Sequence, residues 1–164
     1  GFDEDFGILG EETDLSWRVW LSGSKVCFVP ESVGYHAFNS KFKPAKDYYT
    51  HERVFKNGCR NYINLLIKNL RIGYLIRILP AHLLIWITAG LVMIITLKIH
   101  QGVNIFRGLI ESMRSLPTTV RKRKEIQSKR VIGDKELFTY IFRNPPRAYY
   151  TQRFLRYVTL GLHG

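Results

Sequence analysis

Three carboxylates, Glu11, Glu12 and Asp14, fall within four positions of the stretch GEETDLSW, which runs from Gly10 to Trp17. Asp3, Glu4 and Asp5 stand just upstream in GFDEDFG. Like charges this close repel unless a cation, a helix N-terminus or a retained proton lies among them. A carboxylate held at a loop-to-helix boundary is placed to act as a general base, for instance toward the hydroxyl of an acceptor molecule. The bland alternative is an acidic first turn of a helix, which the helix macrodipole favours by itself.

The surrounding elements must position these acids. Asp14 to Leu21 carries Leu15, Trp17, Val19, Trp20 and Leu21 and reads as a short helix, with Thr13 or Asp14 as its cap and Gly23 past its end. Lys25 to Val29 is β-branched and aromatic and reads as a strand that Pro30 stops. A second short strand is expected from Ser32 to His36. This helix-turn-strand-turn-strand head is too small to close a core alone. Residues 39–50 are polar and lysine-rich and read as a loop. Residues 51–76 read as helix, with Tyr62, Leu65, Leu66, Asn69 and Leu70 in one stripe and Arg60, Lys68 and Arg71 as bases.

Ile78 to Leu97 is a 20-residue run without Asp, Glu, Lys or Arg. As a helix it is about 30 Å long, the thickness of a bilayer's hydrocarbon core. A buried helix of a soluble domain is the alternative, as are a re-entrant and a surface-lying helix. Pro80 is expected in the first turn and His82 near the same end. Arg71 and Arg77 flank one end, Lys98, His100 and Arg107 the other, so charge bias gives no orientation. Val103 to Leu116 is amphipathic, with Phe106, Leu109, Ile110, Met113 and Leu116 on one face. Arg121-Lys122-Arg123-Lys124 and Lys129-Arg130 follow, either as a solvated linker or as a binder of anionic headgroups. The aromatic and basic tail from Leu137 suits a membrane interface better than nucleic acid.

Charge divides the chain. The net formal charge is +12, but residues 1–40 hold seven acids against Arg18 and Lys25, and the basic excess lies entirely beyond them. Two separated cysteines, Cys27 and Cys59, argue against a disulfide framework and against zinc, and favour a reducing, cytosol-facing setting.

In their order and spacing, Gly1–Phe6, Glu11–Arg18, Ser22–Ser24, Val26–Pro30 and Tyr35-His36 resemble the C-terminal part of the catalytic domain of family 2 glycosyltransferases, of the rhamnosyltransferase-like kind. Arg60-Asn61 and the leucine-rich helix after it look like the usual sequel. The likeness is strong over about residues 1–70 and loose beyond. It implies an α/β class, the C-terminal part of a GT-A domain, followed by a mostly helical membrane-associated region. It implies an inverting transfer from a nucleotide-sugar donor to a glycan or lipid-linked acceptor, with Mg²⁺ or Mn²⁺ as the divalent cation.

By the same resemblance Glu12 is the general base, at a position where the family more often has Asp. Asp14 and Glu11 are the fallbacks. Asp3, Asp5 and Trp17 lie on the acceptor side, and His36 falls near the metal and diphosphate. The family's Asp-x-Asp donor motif has no counterpart here, so the donor-binding residues are unassigned. The expectation is a C-terminal segment that does not turn over alone, its cation held mostly by an upstream half.

The resulting organisation is residues 1–50 as part of the catalytic domain, 51–77 as a connecting amphipathic helix, 78–97 as the apolar helix and 98–164 as a basic helical tail. The expected partners are the nucleotide-sugar, the acceptor and an anionic membrane, without nucleic acid. The catalytic part is expected to face the cytoplasm. The competing reading is a non-catalytic membrane-tethered remnant or glycan-binding module.

Overall fold

The computed structural model describes residues 1–34, 51–141 and Gln152. Among the described residues a 3-10 turn, Glu4–Phe6, precedes six helices: α1 (Glu11–Leu21), α2 (His51–Asn69), α3 (Ile72–Ile95), α4 (Ile99–Arg114), α5 (Leu116–Ser128) and α6 (Asp134–Ile141). The chain divides into two compact units, residues 1–134 and 135–164.

Helix α1 begins where Gly10, at φ 87°, turns the chain through the left-handed region that glycine tolerates. Its first turn holds Glu11, Glu12 and Asp14 at the positive end of the dipole. It ends as expected near Gly23, whose φ of 84° and N–H bond to the Trp20 carbonyl close the last turn.

Helix α2 is the central element of the first unit. It packs against α1, α3, α4 and α5. Phe55, Cys59, Ile63, Leu66 and Leu70 are buried along it, and Phe6, Leu21 and Ile105 come in from the surrounding elements. Each such apolar side chain contributes about 1.5–3 kcal/mol by leaving water. Burial also pushes the Cys59 thiol up to about 12, so it is an inert core residue.

The α/β expectation is overturned. Among the described residues every regular element is helical and no strand is present. Residues 24–29 are irregular, and Phe28 is 88% exposed. The physical reason is pairing: a strand exists only against another strand, and no described segment offers its backbone to residues 25–29. The second expected strand reaches residues 35–36, which lie outside the described residues, as do the loop of residues 39–50 and the tail beyond residue 141 apart from Gln152.

Helix boundaries also differ: α1 starts at Glu11 with Gly10 as its cap rather than Thr13 or Asp14, and α4 runs over Ile99–Arg114 rather than Val103 to Leu116. The helix expected over 51–76 breaks at Leu70 and Arg71, and a new one starts at Ile72. Arg71 is extended (φ −63°, ψ 153°), and its N–H donates to Asp134 Oδ2 at 2.8 Å. The apolar helix is therefore 24 residues long, and Pro80 stands inside it rather than in its first turn. Helix α3 is long and apolar enough to cross a membrane, and almost none of its apolar window is buried by the rest of the protein. A helix enclosed in a soluble core would show the opposite.

Candidate acceptor-side site

The acidic loop and the start of α1 sit on α2, and two adjacent residues of α2 hold them there. Asn61 Nδ2 lies 2.9, 2.8 and 2.8 Å from the carbonyl oxygens of Phe6, Ile8 and Leu9. Arg60 Nη2 donates to the carbonyls of Asp5 and Phe6 at 3.0 and 3.1 Å, and its Nε donates to Asn61 Oδ1 at 2.9 Å. The loop needs this grip. Gly7, Leu9 and Gly10 all have positive φ, and Leu9 is a non-glycine at 71°. A leucine there is strained by about 1–2 kcal/mol.

Beneath the loop lies a network of carboxylates and cations. Asp14 is fully buried. Its Oδ1 is 2.9 Å from Lys68 Nζ and accepts from Asn69 Nδ2 at 3.0 Å, while its Oδ2 accepts from Arg18 Nε at 2.8 Å. Lys68, on α2, also pairs with Asp3 Oδ2 at 2.5 Å and lies 4.4 Å from the centre of the Phe6 ring. Lys122, on α5, pairs with both Asp3 and Asp5. Burial alone would raise the Asp3 carboxyl, but hydrogen bonds from Lys122 and Lys68 outweigh it and hold it down at about 2.

The acids expected to act together are thus separated by environment. Asp14, Asp3 and Asp5 are committed to cations supplied by α1, α2 and α5. Glu11 is half-buried, and its Oε2 is enclosed without a hydrogen-bond partner among the described residues. Glu12 is exposed on the first turn of α1 and is held in no ion pair with a described residue. Trp17 is half-buried with its Nε1 enclosed and unpartnered among the described residues, which makes it a packing residue with a spare donor. His36 lies outside the described residues.

A divalent cation does not fit these acids as they stand. The described residues hold no group of three or more potential ligands, and the carboxylates nearest one another already have ammonium and guanidinium partners. An open groove of about 190 Å³ on the same unit is lined by Arg18, Leu21, Ser22, Glu125, Ile126 and Lys129. It contains neither Glu11 nor Glu12, and it is smaller than the about 300 Å³ at which ligand pockets begin.

The basic run is read differently once the network is seen. Lys122 serves Asp3 and Asp5, and Arg123 Nη1 donates to the carbonyls of Ile67 and Leu70 at the end of α2. Half of Arg121–Lys124 is therefore spent inside the protein. Sequence reasoning passed over Lys68 and Asn61 as site residues. The signal for a buried countercharge was Lys68 standing in the largely apolar run from Ile63 to Leu70, because a charge buried there needs a partner. No family model matches the chain, and no curated protein and no solved structure matches it.

Proposed function

We propose that this chain supplies the acceptor side of an inverting glycosyl transfer, with Glu12 as general base. The observation that carries the reading is the division of labour among the acids. Asp3, Asp5 and Asp14 are neutralised below, while Glu12 alone of the adjacent pair is presented to solvent at the N-terminus of α1. In the step so assigned, Glu12 takes the proton of an acceptor hydroxyl as that oxygen bonds to the anomeric carbon. The bond from that carbon to the donor's phosphate oxygen breaks, and the nucleoside diphosphate leaves with its electron pair. A donor-binding half is required, and no described residue is assigned to it. The divalent cation of the reading belongs with that half, since Asp3, Asp5 and Asp14 are already paired. Attachment to an anionic membrane through α3 places the site near a lipid-linked acceptor.

The test is release of nucleoside diphosphate by the full-length protein, from a panel of nucleotide-sugars, with a polyprenyl-phosphate-linked sugar as acceptor. Glu12→Gln should abolish release and leave nucleotide-sugar binding intact. Unchanged release would overturn the assignment. A second reading, a non-catalytic membrane-tethered glycan binder, is favoured by one observation: among the described residues Glu12 is held in no ion pair. Under that reading glycan binding survives Glu12→Gln and no donor is consumed.

A further inference from the structure

We infer that α3 does not cross the bilayer but lies along one face of it, sunk into a single leaflet and parallel to the membrane plane. This rests on the membrane attachment proposed above.

The argument is what flanks α3. Near its middle, His82 Nε2 lies 3.3 Å from the hydroxyl of Tyr62, and the rings of Tyr62 and Trp86 meet edge to face with centroids 6.5 Å apart. Toward its end the backbone of α4 touches it. A Cβ on Gly102 would lie 2.7 Å from the Gly90 carbonyl oxygen, and one on Gly90 would lie 2.8 Å from Phe106 Cε2. Helix α4 then returns to α2, where Glu111 pairs with Lys56 at 3.2 Å and Ser112 Oγ donates to Asn64 at 2.7 Å. So α2 and α4 flank α3 through its second half, from His82 to Ile94. A bilayer whose normal followed α3 would therefore draw Lys56, Arg60 and Glu111 into hydrocarbon together with it, where ionised groups are strongly disfavoured.

The exposed surface fits the in-plane arrangement. Leu84, Ile85, Leu91 and Ile95 of α3 are 65%, 60%, 49% and 78% exposed, and Ile110 and Met113 carry the apolar surface onto α4. Exposed Arg77 and Arg114, with half-exposed Lys98, stand on the same two helices and their connection. A wide apolar face with basic residues beside it matches one occupant, the surface of a bilayer containing anionic lipid. The buried side of α4 is mostly small and polar, Gly102, Asn104, Gly108 and Ser112, with Ile105 as its one large apolar residue, and Ile110 and Met113 are left outside.

The experiment is a depth profile. Single spin labels are placed at Ile76, Leu84, Leu91 and Ile95 of the full-length protein in a Cys27→Ser background, with Cys59 buried and unreactive. The protein is bound to vesicles of phosphatidylcholine and phosphatidylglycerol. Collision with oxygen and with an aqueous nickel reagent then gives the depth of each label. The in-plane helix predicts similar depths at all four sites, about 5–10 Å below the headgroups. Leu84 near the bilayer centre, with Ile76 and Ile95 near opposite surfaces, would overturn it while leaving membrane attachment intact. In parallel, Thr96→Cys should react from outside with an impermeant maleimide; reaction only after detergent would also overturn it. Failure to bind vesicles at all would sink both this inference and the attachment it rests on.

Discussion

Lys68 Nζ lies 2.9 Å from Asp14 Oδ1, and the two side chains are 2% and 0% exposed. This pair joins α2 to the first turn of α1 and sets which acids face the solvent. Withdrawing Lys68 leaves buried Asp14 with Arg18 as its cation and Asp3 with Lys122, each short of one partner, a costly way to break a buried network. Lys68→Met should therefore destabilise the first unit by about 3–5 kcal/mol, read as a lowered urea midpoint. A loss below about 1 kcal/mol would show that Arg18 and Lys122 suffice to neutralise Asp14 and Asp3.

Asp3 makes the fold acid-sensitive in a defined window. Its carboxyl sits at about 2 in the folded state against 3.8 for the unperturbed group. A depressed folded pKa means that the stabilisation is fully present above about pH 4 and is lost as the pH falls toward 2. The shift corresponds to about 2 kcal/mol. Asp3→Asn should be less stable at neutral pH and should flatten the stability curve between pH 4 and pH 2. Parallel curves for variant and parent would rule out the linkage.

Asn61 is predicted to hold the strained loop. Asn61→Ala leaves the carbonyls of Phe6, Ile8 and Leu9 without their common donor, and the cost should be about 1–3 kcal/mol. The clearer sign is local. Amide exchange at residues 7–10 should accelerate far more than exchange in α5. Uniform acceleration would instead indicate global loosening.

Gly102 reports on the contact between α3 and α4. A Cβ there would meet Ile94 Cγ1 at 2.6 Å and the Gly90 carbonyl at 2.7 Å, whereas one at Gly73 meets nothing within 4 Å. Gly102→Ala should destabilise by about 1–3 kcal/mol through overpacking. Gly73→Ala, near the start of α3, should be neutral or slightly stabilising through helix propensity. Equal effects of the two in thermal unfolding would contradict the close approach.

Some of this was legible in the sequence and some was not, for physical reasons. The apolar run and the acidic start of α1 are local signals, one of composition and one of dipole complementarity, and both elements form. Lys25–Val29 has equally clear strand propensity, yet no strand forms, because propensity does not supply the partner. The break at Leu70–Arg71 was hidden because the helical stripe runs through it, and only Asp134, far away in the chain, binds the Arg71 N–H. The apolar stripe of α4 was visible, but its direction was not. Close contact at Gly102 and Gly108 draws the small face inward and leaves Ile110 and Met113 outside. For the site, the sequence showed three acids crowded together. It did not show that Lys68, some fifty residues on, takes one of them out of play.

The most direct measurement is single-turnover transfer by the full-length protein with Glu12→Gln and Glu11→Gln side by side. A general base contributes about 10²–10⁴-fold, so Glu12→Gln should slow transfer by that factor at unchanged nucleotide-sugar affinity, with Glu11→Gln within about tenfold of the parent. Transfer by Glu12→Gln at the parent rate would contradict the account and leave the acids of α1 a purely structural role.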